Sequence, residues 1–220
     1  MQRVVLFGTR SPLLPDYEET CSRLGLQIAA AVRADARRPR ILDRDAMIEL
    51  SDLDEKHKSL PFVACAFYPK RRSELVAMAD EAGLVPAEAL VDPTAIIASS
   101  TRIGNGSFIN AGVVIGAAGV FGEHVFVNRS TNIGHHGFIG DFVSIGPGVT
   151  LAGNVQIGKH SFIGAGCVVL PGVRIGEGAV IAAGSVVRHN ISNGVLVAGN
   201  PATVKRRRPS ASVFDVEGEE

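Results

Sequence analysis

Two adjacent histidines, His135 and His136, stand in the segment IGHHGF, and Gly153 follows eighteen residues after the first of them. An imidazole, with an unperturbed pKa of about 6.5, is the natural general base at neutral pH. A glycine in a turn presents a bare backbone N–H, which suits a developing oxyanion. A base and a donor of this kind can serve acyl transfer if the chain brings them together. The alternative is a histidine that only stabilises a turn.

The chain has a device for bringing them together. From Val91 to Val187 an aliphatic or aromatic residue recurs at every sixth position without interruption, and the residue after it is mostly Gly, Ala or Asn. A fixed period identifies a repeat architecture. Six residues fit one side of a triangular prism, a short strand with a small residue letting the backbone turn at the corner. Three sides make a coil of eighteen residues, and successive coils stack as parallel strands roughly 4.8 Å apart. His135 and Gly153 then fall on neighbouring rungs of one corner, about 5 Å apart.

The third residue of each hexad defines three corner columns. One reads Asn105, Glu123, Asp141, Lys159, Glu177 and is solvated. The others read Pro93, Ala111, Arg129, Pro147, Ala165, Ala183 and Ser99, Ala117, His135, Gly153, Pro171, and are poor in charge. Two bland corners imply burial against copies of the same chain, and a closed ring of three pairs two such surfaces.

The fold class expected is therefore a parallel β-helix of hexapeptide repeats over residues 91–198 (left-handed by the resemblance given below), preceded by a small α/β, Rossmann-like unit over 1–90 and followed by a C-terminal strand and flexible tail over 199–220. In the first unit RVVLFG, LQIAAAV and LPFVACAF read as strands, and DYEETCSRLG, DRDAMIEL and KRRSELVAMADEAG as helices. Such parallel sheets bind ligands at the carboxyl ends of their strands. This points to Gly8, Thr9 and Arg10, to Arg33, and to Phe67–Arg71; Asn128 joins them as a candidate acceptor contact. No glycine-rich phosphate loop follows the first strand. Arg10, or Lys70 with Arg71 and Arg72, either holds an anion through side chains or is surface charge.

Composition narrows the classes. The formal net charge is +0, which argues against nucleic acid and anionic membrane as partners. No apolar run approaches the roughly 20 residues of a membrane span, and the first residues read as a strand rather than a leader. Three unclustered cysteines, Cys21, Cys65 and Cys167, fit a reducing, cytoplasmic setting.

The stretch FIGDFVSIGPGVTLAGNVQIGKHSFIGAGCVVLPGVRIGEGAVIAAGSVV, with GVLVAGNPA beyond it, resembles the bacterial sugar acetyltransferases of the left-handed β-helix superfamily. The nearest group is the sialic acid O-acetyltransferase type, which includes N-acetyltransferases acting on nucleotide-linked 4-amino sugars. The resemblance implies a homotrimer that uses acetyl-CoA, bound in a groove between neighbouring β-helices, with the sugar nucleotide partly on the α/β unit. It implies His135 as base, Gly153 as the amide facing the thioester oxygen, and Ser144, Gly153, Ala165 and Ala183 as groove lining. Lys205 and Arg206 either meet a CoA phosphate or are surface charge. The chain departs from the family in carrying His136 where a carboxylate follows the base, and Ser144 where a second histidine is usual.

The activity expected is acetyl transfer from acetyl-CoA to an amino or hydroxyl group of a sugar, with no metal. A metal-dependent hydratase on the same fold would need three converging histidines, and His124 and His160 lie on the solvated corner, away from His135. A binding module that kept the solenoid without turnover is the other alternative.

Overall fold

The computed structural model describes residues 2–34 and 44–207, with backbone alone for Arg44 and Arg207. The expected tail PSASVFDVEGEE lies outside the described residues.

The N-terminal region is a five-stranded, all-parallel sheet of order β3-β2-β1-β4-β5, formed by β1 Arg3–Phe7, β2 Gln27–Arg33, β3 Met47–Glu49, β4 Pro61–Ala64 and β5 Val85–Pro86. Helices α1 Leu14–Arg23, α2 Glu55–Lys58 and α3 Pro69–Glu81 connect it. Of DRDAMIEL, expected as a helix, Asp43 lies outside the described residues, Arg44–Ala46 is a 3₁₀ turn, Met47–Glu49 is β3, and Leu50 opens a second 3₁₀ turn. Met47 and Ile48 pair with Ala31 and Val32 at the sheet edge. A short apolar run carries no period to separate helix from strand, and edge pairing decides it.

From Leu90 onward the chain winds as a left-handed β-helix of two-residue strands, with partners eighteen residues apart on three faces. The six-stranded face runs from Ile96–Ile97 to Val186–Val187, and the five-stranded face from Arg102–Ile103 to Arg174–Ile175. The eight-stranded face begins at Leu90–Val91 and closes with Val195–Ala198 and the antiparallel Thr203–Arg207. The single last strand expected from sequence is thus a pair that extends the sheet. Each hexad sends two side chains inward, as Ile145 with Val149 and Leu151 with Val155, and these ladders form one continuous core.

The corner turns are made differently from the expectation. The fourth residue of the hexad, not the second, takes the left-handed conformation, as at His124, His136, Phe142, Asn154 and His160. The second is small because the next rung passes so close. A Cβ on Gly134 would lie 2.6 Å from the backbone nitrogen of Gly153.

The α/β region sits on the eight-stranded face. Tyr17 of α1 stacks on Phe108 with ring centroids 4.0 Å apart, and Phe67 packs edge-on against Phe126 and Phe162. Asp16 accepts from Asn110 Nδ2 at 3.1 Å and Asp92 accepts from Thr20 and Arg23. Arg72 of α3 is the central tie. Fully buried, its guanidinium donates to the carbonyls of Ala66, Phe67, His124, Phe142 and Val143 and to Ser144 Oγ, at 2.7–3.0 Å. Burial lowers its pKa to about 10, so it stays a cation at neutral pH.

Candidate active site

His135 lies at the corner between the six-stranded and five-stranded faces, where the turn from Asn132–Ile133 to Phe138–Ile139 exposes it. Register puts Gly153 directly on the next rung, since Ile133 pairs with Leu151 and the carbonyl of His135 accepts from Asn154 N at 2.9 Å. The imidazole lies against this glycine. A Cβ at position 153 would come within 2.6 Å of His135 Nε2 and 2.7 Å of Cε1.

The turns also leave amides for chemistry. Among the described residues the third-position N–H of the hexad takes no part in the backbone ladder and is met only where a side chain reaches it. Asp141 Oδ1 does so for Glu123, and Asn128 Oδ1 for Arg129. Among the described residues no such acceptor meets the Gly153 N–H. The corner thus sets an exposed imidazole beside a half-buried glycine with a free donor, the pair that acyl transfer requires.

His136 turns its ring toward its neighbour. The two Nδ1 atoms are 2.9 Å apart, with the rings nearly perpendicular at 87°. Among the described residues no group of three His, Cys, Asp or Glu side chains is arranged to hold a metal ion.

The other candidates fall in three places. Ala165 and Ala183 are exposed and stacked on the corner between the eight-stranded and six-stranded faces, joined by Gly184 N donating to Ala165 O at 2.8 Å. That is a different edge from Gly153. Lys205 is exposed on the terminal strand. Ser144 is not groove lining: its side chain is fully buried under Arg72, donating to Phe67 O. It faces outward from the solenoid, and the α/β region covers that face. Arg72 likewise holds no external anion, because its donors are committed to the seam.

Gly8, Thr9, Arg10, Arg33 and Phe67 do gather at the carboxyl ends of β1, β2 and β4, with β1 central. Gly8 is a packing glycine, its missing side chain replaced by Leu75 of α3, and Thr9 is buried. Arg10 is exposed, and Arg33 pairs with Glu49 at 3.0 Å. Asn128 connects to this end through Asn110, which donates to it at 3.0 Å and also to Asp16. His135 is remote from the cluster, on the edge opposite the face that the α/β region covers.

The seam role of Arg72, Ser144 and Phe126 escaped the sequence reading, although a signal existed. The position before each inward aliphatic reads Leu90, Phe108, Phe126, Ser144, Phe162, Val180 on the eight-stranded face. Three aromatics in an outward column mark a covered face.

The comparisons with known proteins agree with this architecture. The family model for bacterial transferase hexapeptide (six repeats) matches residues 136–170 and 154–189. No curated protein matches the chain by sequence. Among solved structures, a mutant of GDP-perosamine N-acetyl transferase from Caulobacter crescentus, in complex with CoA and GDP-perosamine, superposes with a TM-score of 0.83 at 27% identity, covering 94% of this chain and 97% of that one. The acetyltransferase domain of PglB from Neisseria gonorrhoeae, in complex with acetyl coenzyme A, gives 0.82 at 27% identity, covering 93% and 99%. WeeI from Acinetobacter baumannii shares the fold at 21% identity, with a TM-score of 0.73 over 93% and 100%. Residues 136–189 thus carry the repeats of that hexapeptide family model, and the whole fold is similar to that of these acetyltransferases. By structure it resembles the bacterial sugar N-acetyltransferases over more than nine tenths of its length.

Proposed function

We propose that the protein transfers an acetyl group from acetyl-CoA to the amino group of a nucleotide-linked sugar. The observation that carries this is the imidazole of His135 lying against Gly153, whose amide has no partner among the described residues, in a chain that matches sugar N-acetyltransferases over more than nine tenths of its length. His135 Nε2 takes the proton from the acceptor nitrogen as that nitrogen attacks the thioester carbonyl. Gly153 N–H donates to the oxyanion. The C–N bond forms, the C–S bond breaks, and the CoA thiolate leaves. A base of this kind contributes roughly 10²- to 10⁴-fold, and one oxyanion donor about 2.7–4 kcal/mol.

In this reading residues 1–90 hold the acceptor, 91–198 carry acyl transfer, and 199–220 add Lys205 beside the CoA groove. The enzyme is a homotrimer. Acceptor-side residues and His135 lie on opposite sides of one prism, and Ala165 and Ala183 lie on a different corner from Gly153. A groove between two copies brings one chain's corner to another's. Exposed apolar side chains on the two faces flanking His135, Val114 on one and Val120 and Phe138 on the other, supply contact surface for such copies. Three free, buried cysteines suit a cytoplasmic enzyme.

The test is thiol release from acetyl-CoA with GDP-perosamine and a panel of nucleotide-linked 4-amino sugars, for the native chain and His135→Ala. Turnover by the native chain and a loss of at least 10²-fold in the variant are expected. A folded variant with native kcat, or no turnover across the panel, overturns the reading. Sedimentation equilibrium should give three times 23.1 kDa.

A further inference from the structure

We infer that His136 is a positioning residue for the base: it accepts the Nδ1–H of His135 and thereby keeps the lone pair of His135 on Nε2, the nitrogen that lies against Gly153. The inference rests on the reading of His135 as the base.

The geometry is specific. Nδ1 faces Nδ1 at 2.9 Å, a hydrogen-bond distance that two neutral imidazoles satisfy with one proton between them. If that proton sits on His135, its Nε2 is free to accept another. If it sits on His136, Nε2 of His135 carries a hydrogen and cannot act as base. The ring of His136 is aimed by the backbone, which is left-handed there at φ 56°, its amide donating to Ala117 O at 2.8 Å. The same two turn positions hold Ala117 and Ala118 on the rung before, and Gly153 and Asn154 on the rung after. None of these is titratable, so no carboxylate from the adjoining turns competes for His135 Nδ1.

The chemistry follows from the contact. When His135 takes the acceptor's proton, the imidazolium donates through Nδ1–H to a neutral ring, a charge-assisted bond that spreads the new charge. A second proton between the rings would abolish the acceptor and set two N–H groups face to face, so the contact needs one ring to stay an acceptor. A carboxylate at 136 would accept the same hydrogen bond and would also favour the charged imidazole.

The experiment uses the full-length protein with His136→Gly, His136→Glu and His135→Asn. Glycine suits the left-handed backbone, so His136→Gly removes the acceptor without strain, and melting temperature verifies folding. Expected is a fall in kcat of roughly 10- to 100-fold for His136→Gly, part of the base's total contribution, with both KM values nearly unchanged. His136→Glu should recover kcat and move the acid limb of kcat/KM to higher pH. Native kcat in His136→Gly overturns the inference and leaves His135 untouched. A loss without recovery or pH shift in His136→Glu reveals a structural role and overturns it equally. Native kcat in His135→Asn overturns the base assignment itself.

Discussion

The imidazole of His135 occupies the space that a side chain at Gly153 would need, with Nε2 2.6 Å from the position a Cβ would take. Glycine is required at 153 for access, not for conformation, because its φ is not in the left-handed range. Gly153→Ala should therefore push the flexible ring aside and leave the coil intact. We expect kcat to fall on the order of tenfold or more, while the melting temperature stays within about 2 °C. Steady-state kinetics beside a thermal melt check this.

Arg72 ties α3 to the rungs through three carbonyls and Ser144 Oγ, and to the segment after β4 through the carbonyls of Ala66 and Phe67. Arg72→Met keeps the apolar volume; Phe67 O and Val143 O keep a second donor, Ser144 Oγ and Phe126 N, while the carbonyls of Ala66, His124 and Phe142 lose the guanidinium, at about 1 kcal/mol or more each if unmet. A loss of about 3 kcal/mol, or roughly 6–12 °C in melting temperature, is expected. Because Ala66 and Phe67 follow the carboxyl end of β4, where we propose the acceptor binds, KM for the acceptor should rise more than KM for acetyl-CoA.

His124 is buried beneath Phe62 and stacked on Phe142. Burial first, and the nearby Arg72 charge second, hold its pKa below the usual histidine range; burial does the same for His160. The unfolded chain binds protons at these sites from about pH 6.5 downward, and the folded chain only at lower pH. Stability is thus full above pH 6.5 and falls as the pH drops toward the depressed folded values. Melting temperature should decline between pH 7 and 5.5. His124→Asn, which tolerates the left-handed φ of 53°, should flatten that decline.

Phe138 stands 52% exposed on the five-stranded face beside the His135 corner. If that face meets another copy, Phe138→Glu buries an unpaired charge at the contact. Sedimentation should then report a smaller species with loss of turnover, and circular dichroism a retained β-helix.

The solenoid was legible because one rule, an inward residue every six, fixes both the core and the corner columns. His135 and Gly153 could be set side by side by arithmetic, and the structure sets them on neighbouring rungs. The α/β region obeys no such rule. Its edge strands, Met47–Glu49 and Val85–Pro86, are too short to carry a period and exist through pairing with Ala31 and Phe62. Ser144 was misplaced for a related reason. A repeat column shows which way a side chain points, and says nothing of which other element covers it.

The eighteen-residue register, in which Ile133 meets Leu151 and Leu151 meets Val169, makes the prism's height quantised. Duplicating a whole coil would add a storey and leave every azimuth unchanged. Six residues inserted between His135 and Gly153 would instead rotate everything above by a third of a turn, carrying the amide to another edge while the hydrophobic ladder stayed filled. Such a chain can grow or shrink without unfolding, yet only one increment in three preserves its chemistry.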